Sequence, residues 1–274
     1  MPFTLAHPAA VLPIRRRLGR AGCTAALVIG SMVPDLAYFL PLGIRRGQSH
    51  SLAGLVWFCL PAGVLAWGLY RLFLRPLAVA VAPSAVARRL GPAPPIVNSV
   101  AGLFGVMASV LVGALTHVLW DSFTHGSGYM VRTFPLLRAR VELIDGLTPH
   151  VYALLFHAST VGGLGALAFG GLRWYRNAAV GDLPLRRPLP RWFRGGVFLA
   201  IAVPCLAAVL YALWPHVDVA AGEFPGLRAI RRAVLTSGTV FLVTVTLAAL
   251  AWRVMWMART GSEGPEQRRH GSEG

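Results

Sequence analysis

Long, uninterrupted apolar runs constrain this chain more than any other feature of its sequence. A helix needs about 20 apolar residues to cross the ~30 Å hydrocarbon core of a bilayer. The runs that reach this length are Leu52–Leu74, Val97–Trp120, Val151–Leu172, Gly195–Trp214 and Ala233–Met257. Backbone polar groups in lipid must be satisfied within the segment itself, so such runs fold as helices. The sequence therefore predicts an all-α fold, a polytopic bundle of transmembrane helices.

The composition agrees with a membrane location and argues against a nucleic-acid partner. Hydrophobic residues make up 55% of the chain and charged residues only 13%, whereas about a quarter of a soluble domain is charged. The net charge of +16 arises from arginines that lie between the apolar blocks. Positive charge in such positions orients helices and attracts anionic headgroups. We therefore expect a multi-pass protein of the cell membrane, a bacterial inner membrane, whose partner is lipid and not nucleic acid.

A sixth apolar run, Cys23–Leu42, is interrupted by the pair Pro34-Asp35. Proline breaks a helix and a carboxylate is costly at mid-bilayer, so this run is predicted as the first of about six membrane helices, broken at that pair. If it spans, both termini are cytoplasmic and most of the 26 arginines lie on the cytoplasmic side, as the positive-inside rule requires. If it does not, the two sides hold nearly equal numbers. Arginine counting therefore favours six crossings.

The apolar blocks and the connections between them divide the chain into four predicted regions. Residues 1–172 form a membrane domain that carries the candidate metal site, and residues 173–194 form a linker rich in arginine and proline. Residues 195–257 form a C-terminal pair of helices. Residues 258–274 have the composition of a disordered tail.

Ionisable side chains within the apolar first half are the candidates for chemistry. They are His7, Asp35, His50, His117, Asp121 and His125. The last three are each four residues apart, in THVLWDSFTH, and so form one polar stripe on a helix. Imidazole and carboxylate groups one turn apart can bind the same metal ion. A stripe at the end of a membrane helix is equally typical of the point where the chain meets water, so the spacing permits metal binding without requiring it.

Asp35 has no simple packing explanation. An unpaired carboxylate at the centre of a bilayer costs about 2.5–3.5 kcal/mol on insertion scales. We therefore expect this side chain to have a partner. The prediction is that Asp35, His50, His117 and Asp121 converge on one site near a membrane–water boundary.

Four segments carry a resemblance to a known family. MPFTLAHPAAVLP, GSMVPDLAYFLP, SHSLAGL and GALTHVLWDSFTHG occur in this order within roughly residues 1–170. Together they resemble an uncharacterised bacterial membrane family, the domain of unknown function numbered 4184. More distantly, the pattern resembles inner-membrane proteins described as LexA-regulated, predicted metal-dependent hydrolases, whose layout is similar to that of zinc-dependent phospholipases.

The distant resemblance implies a set of metal ligands and some departures from it. The matching positions are His7, Asp35, His50, His117 and Asp121, with His125 as an additional candidate ligand, and Asp35, His50 and Asp121 are also the candidate catalytic residues. Ala37, Tyr38 and Arg45 stand where the relatives have further ligands. The resemblance thus implies a divalent metal, with zinc favoured, at about one ion per chain or fewer.

Two functions from different classes follow. One is a metal-dependent hydrolase acting on a lipid or lipid-linked phosphoester at the bilayer surface, in which Arg45, Arg46 and Arg132 are candidates to bind phosphate or to anchor headgroups. The other is a non-catalytic membrane protein, a transporter or scaffold, with a structural polar cluster.

The position of His7 separates two arrangements of the N-terminal segment. With six crossings and a cytoplasmic N-terminus, His7 lies across the membrane from His50 and Asp121. A shallow hairpin of residues 1–42 would bring the three together, against the arginine count. Both arrangements remain open from the sequence.

Overall fold

The computed structural model describes residues 3–18, 22–90, 99–144, 146, 148–182, 189–214 and 226–262. These residues are helical almost throughout and form no strand, which confirms the predicted all-α fold. Their α-helices are, in chain order, α1 (Pro8–Leu18), α2 (Thr24–Gly30), α3 (Leu36–Phe39), α4 (Arg46–Ser49), α5 (Leu52–Gly54), α6 (Leu60–Leu69), α7 (Arg75–Val81), α8 (Ser84–Leu90), α9 (Val100–Thr124), α10 (Tyr129–Thr133), α11 (Pro135–Arg138), α12 (Val151–Asn177), α13 (Arg191–Leu213) and α14 (Leu227–Ser262). The 3₁₀ turns are Thr4–Ala6 and Val33–Asp35, and the π-helical turns Leu55–Cys59 and Tyr70–Leu74 join α5, α6 and α7.

Five helices within the described residues are long and apolar enough to cross a membrane. They are Leu52–Val81, Val100–Thr133, Val151–Asn177, Arg191–Leu213 and Ala229–Met257. Each contains most or all of one predicted apolar run, but the helices do not stop where the apolar runs stop. The first continues beyond the apolar run that ends at Leu74 to Val81. Its Pro76 lies in the first turn of α7, directly after the π-helical turn Tyr70–Leu74, where a proline is tolerated.

The sixth apolar segment is a shorter and broken helix. Its apolar helical part covers Thr24–Phe39, less than the about 20 residues that a crossing needs. The break is the 3₁₀ turn Val33–Asp35, at the predicted pair Pro34-Asp35. His7, which precedes this segment, lies 3.5 Å from Asp121 (Nε2 to Oδ1), as expected for the shallow hairpin rather than for six full crossings.

The chain divides into two compact units. The first unit comprises Met1–Gly68 and Ala93–Ala179, and the second comprises Leu69–Pro92 and Val180–Gly274. The four-part division predicted from the sequence remains a prediction. Its linker, 173–194, is helical at both ends, because α12 continues to Asn177 and α13 begins at Arg191. Helix α14 extends to Ser262, and the rest of the predicted tail lies outside the described residues.

Helices α2 and α9 cross at two glycines in the first unit. A Cβ atom at Gly30 would collide with the carbonyl oxygen of Val110, and one at Gly113 would collide with the carbonyl oxygen of Leu27. Small residues of this kind let membrane helices approach at backbone distance. The crossing lies one turn before His117 on α9 and directly before Ser31, and it therefore brings the broken segment against the polar stripe.

The second unit has an apolar core between α7, α13 and α14. Leu77, Ala80, Ala249 and Trp252 are buried there, and the Trp252 ring lies 5.8 Å from the ring of Phe193. Among the described residues, this unit contains no buried polar or charged side chain. Its core is apolar, and arginines at its margin donate to backbone carbonyls, as Arg194 does to Ala82.

Candidate metal centre

Four separate segments bring the candidate residues together in the first unit. His7 ends the 3₁₀ turn before α1, Asp35 lies in the turn between α2 and α3, and His50 follows α4. The remaining three residues lie along the last two turns of α9 and at its C-cap. The four-residue spacing on α9 thus faces inward and not toward water, since His117 and Asp121 are buried.

The centre of the cluster contains Asp35, His50, His117 and Asp121. The His117 Nε2 atom lies 3.4 Å from Asp35 Oδ1 and 3.6 Å from Asp121 Oδ2. The His50 Nε2 atom lies 3.5 Å from the same Asp35 oxygen and 3.4 Å from the same Asp121 oxygen. One potential ligand atom from each residue therefore lies within 4.8 Å of the other three, which confirms the predicted convergence.

His7 and His125 lie beside the other oxygen of Asp121. The Oδ1 atom is 3.5 Å from His7 Nε2 and 3.5 Å from His125 Nδ1. The His7 ring also stacks on the His117 ring, with centroids 3.7 Å apart. All six sequence-predicted residues are thus brought into one cluster, in which the two Asp121 oxygens have different neighbours.

Several polar atoms of this cluster are buried without a hydrogen bond in the described part of the chain. They are the Nε2 atoms of His7, His50, His117 and His125, and the Oδ1 atoms of Asp35 and Asp121. Buried polar groups in proteins are nearly always paired, and an unpaired one costs about 1–3 kcal/mol. Their grouping at one place is typical of atoms arranged to bind a cation.

Backbone and hydroxyl groups orient the imidazole rings toward the cluster centre. The His117 Nδ1–H donates to the carbonyl oxygen of Ser31 at 2.7 Å, because a carbonyl can only accept. The Ser49 hydroxyl donates to the Arg46 carbonyl, so its oxygen is left to accept from His50 Nδ1 at 2.9 Å. Both rings consequently direct Nε2 to the centre, where it can bind a metal once it is deprotonated.

Thr4 fixes the carboxylate of Asp35. Its hydroxyl donates to Asp35 Oδ2 at 2.7 Å, which directs the Oδ1 atom toward His50 and His117. Such outer contacts are a regular feature of metal sites, where they hold ligands in position.

Arg46 provides the positive charge nearest the cluster. Its Nη2 atom donates to Asp121 Oδ2 at 2.7 Å, and its Nε atom has no hydrogen-bond partner among the described residues. The side chain remains 28% exposed, so the guanidinium connects the buried carboxylate with the outside. Arg45 and Arg132, the other candidate phosphate-binding arginines, are exposed side chains.

His7 is uncharged in this environment. Burial, and then the neighbouring His117 ring, lower the pKa of His7 from the usual 6.5 to about 3. At neutral pH the ring is therefore a neutral imidazole, with one protonated and one unprotonated nitrogen.

Comparison with known families agrees with the resemblance carried by the sequence motifs. The profile of a family described as a domain of unknown function, DUF4184, matches residues 1–254. The chain belongs to this family. The match is longer than the roughly 170 residues that the motifs predicted and includes α13 and most of α14. No curated protein and no solved structure matches the chain significantly.

Three residues of this DUF4184 chain escaped the sequence analysis. Thr4, Ser31 and Ser49 position the acid and the imidazoles, yet a hydroxyl or a backbone carbonyl carries no signal of its own in an apolar sequence. All three occur inside the motifs that carry the family resemblance, in FTLAHP, GSMVPD and QSHS. Their position in the sequence, close to the candidate ligands, was therefore the signal that could have identified them.

Proposed function

We propose that this protein is a membrane-embedded, metal-dependent hydrolase that acts on a lipid or lipid-linked phosphoester at the bilayer surface. The observation that supports it most directly is the group of unpaired imidazole nitrogens and carboxylate oxygens buried at one place. A cluster built only to join helices satisfies its polar atoms with each other, because each unpaired one lowers stability. A cation held by the four central residues would pair three of these atoms, the Nε2 atoms of His50 and His117 and the Oδ1 atom of Asp35.

Four of the six distances among the central atoms are those expected between ligands of one zinc ion. Zinc binds imidazole nitrogen and carboxylate oxygen at ~2.0–2.2 Å, so its ligand atoms are about 3.3–3.6 Å apart in a tetrahedron. The four contacts among His50, His117, Asp35 and Asp121 measure 3.4 to 3.6 Å. The mixed nitrogen and oxygen set also favours a transition metal over calcium, which prefers oxygen alone. We therefore propose zinc, at about one ion per chain.

Asp35, His50 and Asp121, the candidate catalytic residues, act in this proposal together with His117 by holding the metal. A divalent ion at such a site supplies Lewis acidity and an activated water. Arg46 is placed to bind a phosphate oxygen, because its side chain is partly exposed beside the Asp121 carboxylate. His7 and His125 are proposed to orient Asp121 through its second oxygen.

The membrane supplies the reason for a lipid substrate. The first unit contains three of the five candidate spans in whole or in part, and the cluster lies at the end of one of them, α9. A phosphoester held in a headgroup reaches such a site without leaving the bilayer. Lipid is thus the substrate that this location favours.

Hydrolysis by purified protein tests the proposal. The parent protein, reconstituted with zinc, should release phosphate or an alcohol from at least one of three probes: phosphatidic acid, phosphatidylglycerol or a polyprenyl diphosphate. Activity should disappear after chelation, return on adding zinc, and be absent in Asp121→Ala. The matched control is Asp182→Ala, which removes an exposed carboxylate in the second unit.

A protein that binds zinc tightly but hydrolyses none of these probes would contradict the enzyme and favour the transporter or scaffold. That alternative has one observation in its favour. The Arg46–Asp121 and Thr4–Asp35 contacts, both 2.7 Å, already satisfy one oxygen of each carboxylate without an ion.

A further inference from the structure

A cavity of about 330 Å³ adjoins the metal centre in the first unit. It lies among the start of α1, one face of α12 and the Trp120 side chain of α9. Its volume falls in the range of ~300–1,000 Å³ that is usual for small-ligand sites. His7 forms part of its wall, so the cavity and the metal centre share a residue.

The wall of this cavity is almost entirely apolar and built from small residues. These are Ala6, Ala9, Ala10, Gly162, Gly163 and Ala166. The three from α12 recur at helical spacing on one face, with Ser159 one turn earlier. Such a wall offers carbon surface without filling the space between the helices. A slender apolar chain suits it better than a polar metabolite.

His7 differs from the other residues of this wall because its side chain is ionisable, and its surroundings are evidence for a ligand. Its side chain is only 1% exposed, and its Nε2 atom has no hydrogen-bond partner in the described part of the chain. The same atom lies 3.5 Å from the Asp121 carboxylate. An apolar cavity therefore ends at a buried imidazole that adjoins Asp121, one of the residues proposed to hold the metal.

We propose that this cavity binds one hydrocarbon chain of an anionic phospholipid whose phosphate lies at the metal centre. The position of the phosphate rests on the proposed function, whereas the position of the chain rests on the cavity itself. The cavity thereby selects substrates with a long apolar tail.

Charge and exposure both support this occupant. A divalent ion balances Asp35 and Asp121, so the Arg46 guanidinium leaves the centre with a surplus positive charge that complements a phosphate. Helix α12, a candidate membrane span, contains no buried residue, and the Trp120 side chain is 46% exposed. An acyl chain in the bilayer can therefore enter from the side.

Photolabelling in lipid nanodiscs tests the position of the chain. The nanodiscs consist of phosphatidylcholine with a small fraction of phosphatidic acid that carries a diazirine in one acyl chain. After irradiation, mass spectrometry of the parent protein should find labelled peptides containing Ala10, Trp120 or Ala166. The labelling requires no hydrolysis and is measured alongside the metal content.

Gly162→Leu is the blocking variant and Gly165→Leu its matched control. Both glycines lie on α12, and a Cβ atom at either meets nothing within 4 Å, so a side chain can begin at either position without a clash at Cβ. Gly162 lines the cavity and Gly165 does not. Labelling of the cavity peptides should fall roughly tenfold in Gly162→Leu, equivalent to ~1.4 kcal/mol of binding, and remain unchanged in Gly165→Leu. Ala166→Leu repeats the block from the next turn.

The outcomes separate this inference from the proposed function. Cavity labelling that Gly162→Leu removes, with metal content kept but no hydrolysis of any probe, supports the chain site and contradicts the enzyme. Labelling elsewhere, or equal labelling in Gly162→Leu and the parent, overturns the chain site even if hydrolysis occurs. Loss of metal in both Gly162→Leu and Ala166→Leu also overturns it, because the cavity would then be part of the support of the metal centre.

Discussion

The two compact units of the chain bury different kinds of side chain. Every buried polar or charged residue in the described part of the chain belongs to the first unit: His7, Ser31, Asp35, Ser49, Ser109, His117, Asp121 and Thr124. The second unit packs Leu77, Ala80, Ala249 and Trp252 against aromatic and aliphatic neighbours. Candidate membrane spans occur in both units, so the presence of apolar helices alone does not distinguish them.

This difference is the reason for placing the candidate metal centre in the first unit. Burying carboxylates and imidazoles lowers stability unless their polar atoms are satisfied, and several in the first unit are not. Folding in a bilayer does not require buried carboxylates and imidazoles, since the second unit buries none among its described residues. The predictions below therefore compare metal binding after changes in each unit.

The largest effect is expected from Asp121→Ala. Asp121 contacts His50, His117, His7 and Arg46, so its removal eliminates a ligand and leaves the guanidinium without its carboxylate. Mutating a residue that only hydrogen-bonds to a metal ligand lowers metal affinity by ~10–100-fold. Loss of Asp121 itself should lower the metal content, measured by elemental analysis, by more than that. His117→Ala should behave alike. Metal content equal to that of the parent in a folded Asp121→Ala variant would remove the reason for placing a site here.

A methyl group at the α2–α9 crossing should weaken both the fold and the metal centre. In Gly113→Ala the new Cβ collides with the Leu27 carbonyl, and such overpacking costs about 1–3 kcal/mol. The shifted α2 would also displace the Ser31 carbonyl from His117. Thermal unfolding in detergent and a zinc titration measure the two effects.

The matched control for Gly113→Ala is Gly165→Ala on α12. A Cβ atom at Gly165 meets nothing within 4 Å, so the substitution should stabilise the helix by about 0.4–1 kcal/mol. The two Gly→Ala changes should thus have opposite signs. Equal unfolding temperatures would show that the crossing is not tight.

A smaller effect is expected from the hydroxyl that holds Asp35. Thr4→Val removes the donor to Asp35 Oδ2 while keeping the shape of the side chain, and should weaken zinc binding by ~10–100-fold. Thr4→Ser keeps the donor and should restore most of the affinity. Competition with a chelating dye gives both values. If valine and serine bind zinc equally well, the hydroxyl has no orienting role.

The smallest effect on metal binding is expected in the second unit. Trp252→Ala empties space beside Leu77, Ala80 and Phe193 and should lower the unfolding temperature, as large-to-small changes do in packed cores. The metal content should stay that of the parent. Metal loss in a folded Trp252→Ala variant would mean that the two units do not differ in the way described above.

The fold could be predicted from the apolar runs, and the helix ends could not. Each run of at least 20 residues forms a helix, because lipid leaves the backbone no other way to satisfy its polar groups. The apolar runs end before the helices do where polar residues continue a helix, as at Asp121 and Thr124 beyond the run that ends at Trp120. Arginine counting favoured a sixth crossing, but it contains no information on the contact between His7 and Asp121.

The cluster could be predicted from cost and spacing, and its supporting contacts could not. Asp35 required a partner because of its burial, and the spacing of His117, Asp121 and His125 placed them on one helix face. Ser31 contributes only its carbonyl, which every residue has, so its contact with His117 depends on where two helices cross. That crossing is a property of the folded chain.

The order in which the chain is made gives the α2–α9 crossing a consequence for biogenesis. Ser31 leaves the ribosome 86 residues before His117, its partner in the crossing. When the first segment reaches the insertion machinery, His117 has not yet been synthesised and Asp35 lacks this partner. Insertion of the Asp35 carboxylate into lipid is then unfavourable. We therefore expect the early segment to stay at the membrane surface until α9 has been inserted. The metal of the proposed function could then be bound only after translation has passed Asp121.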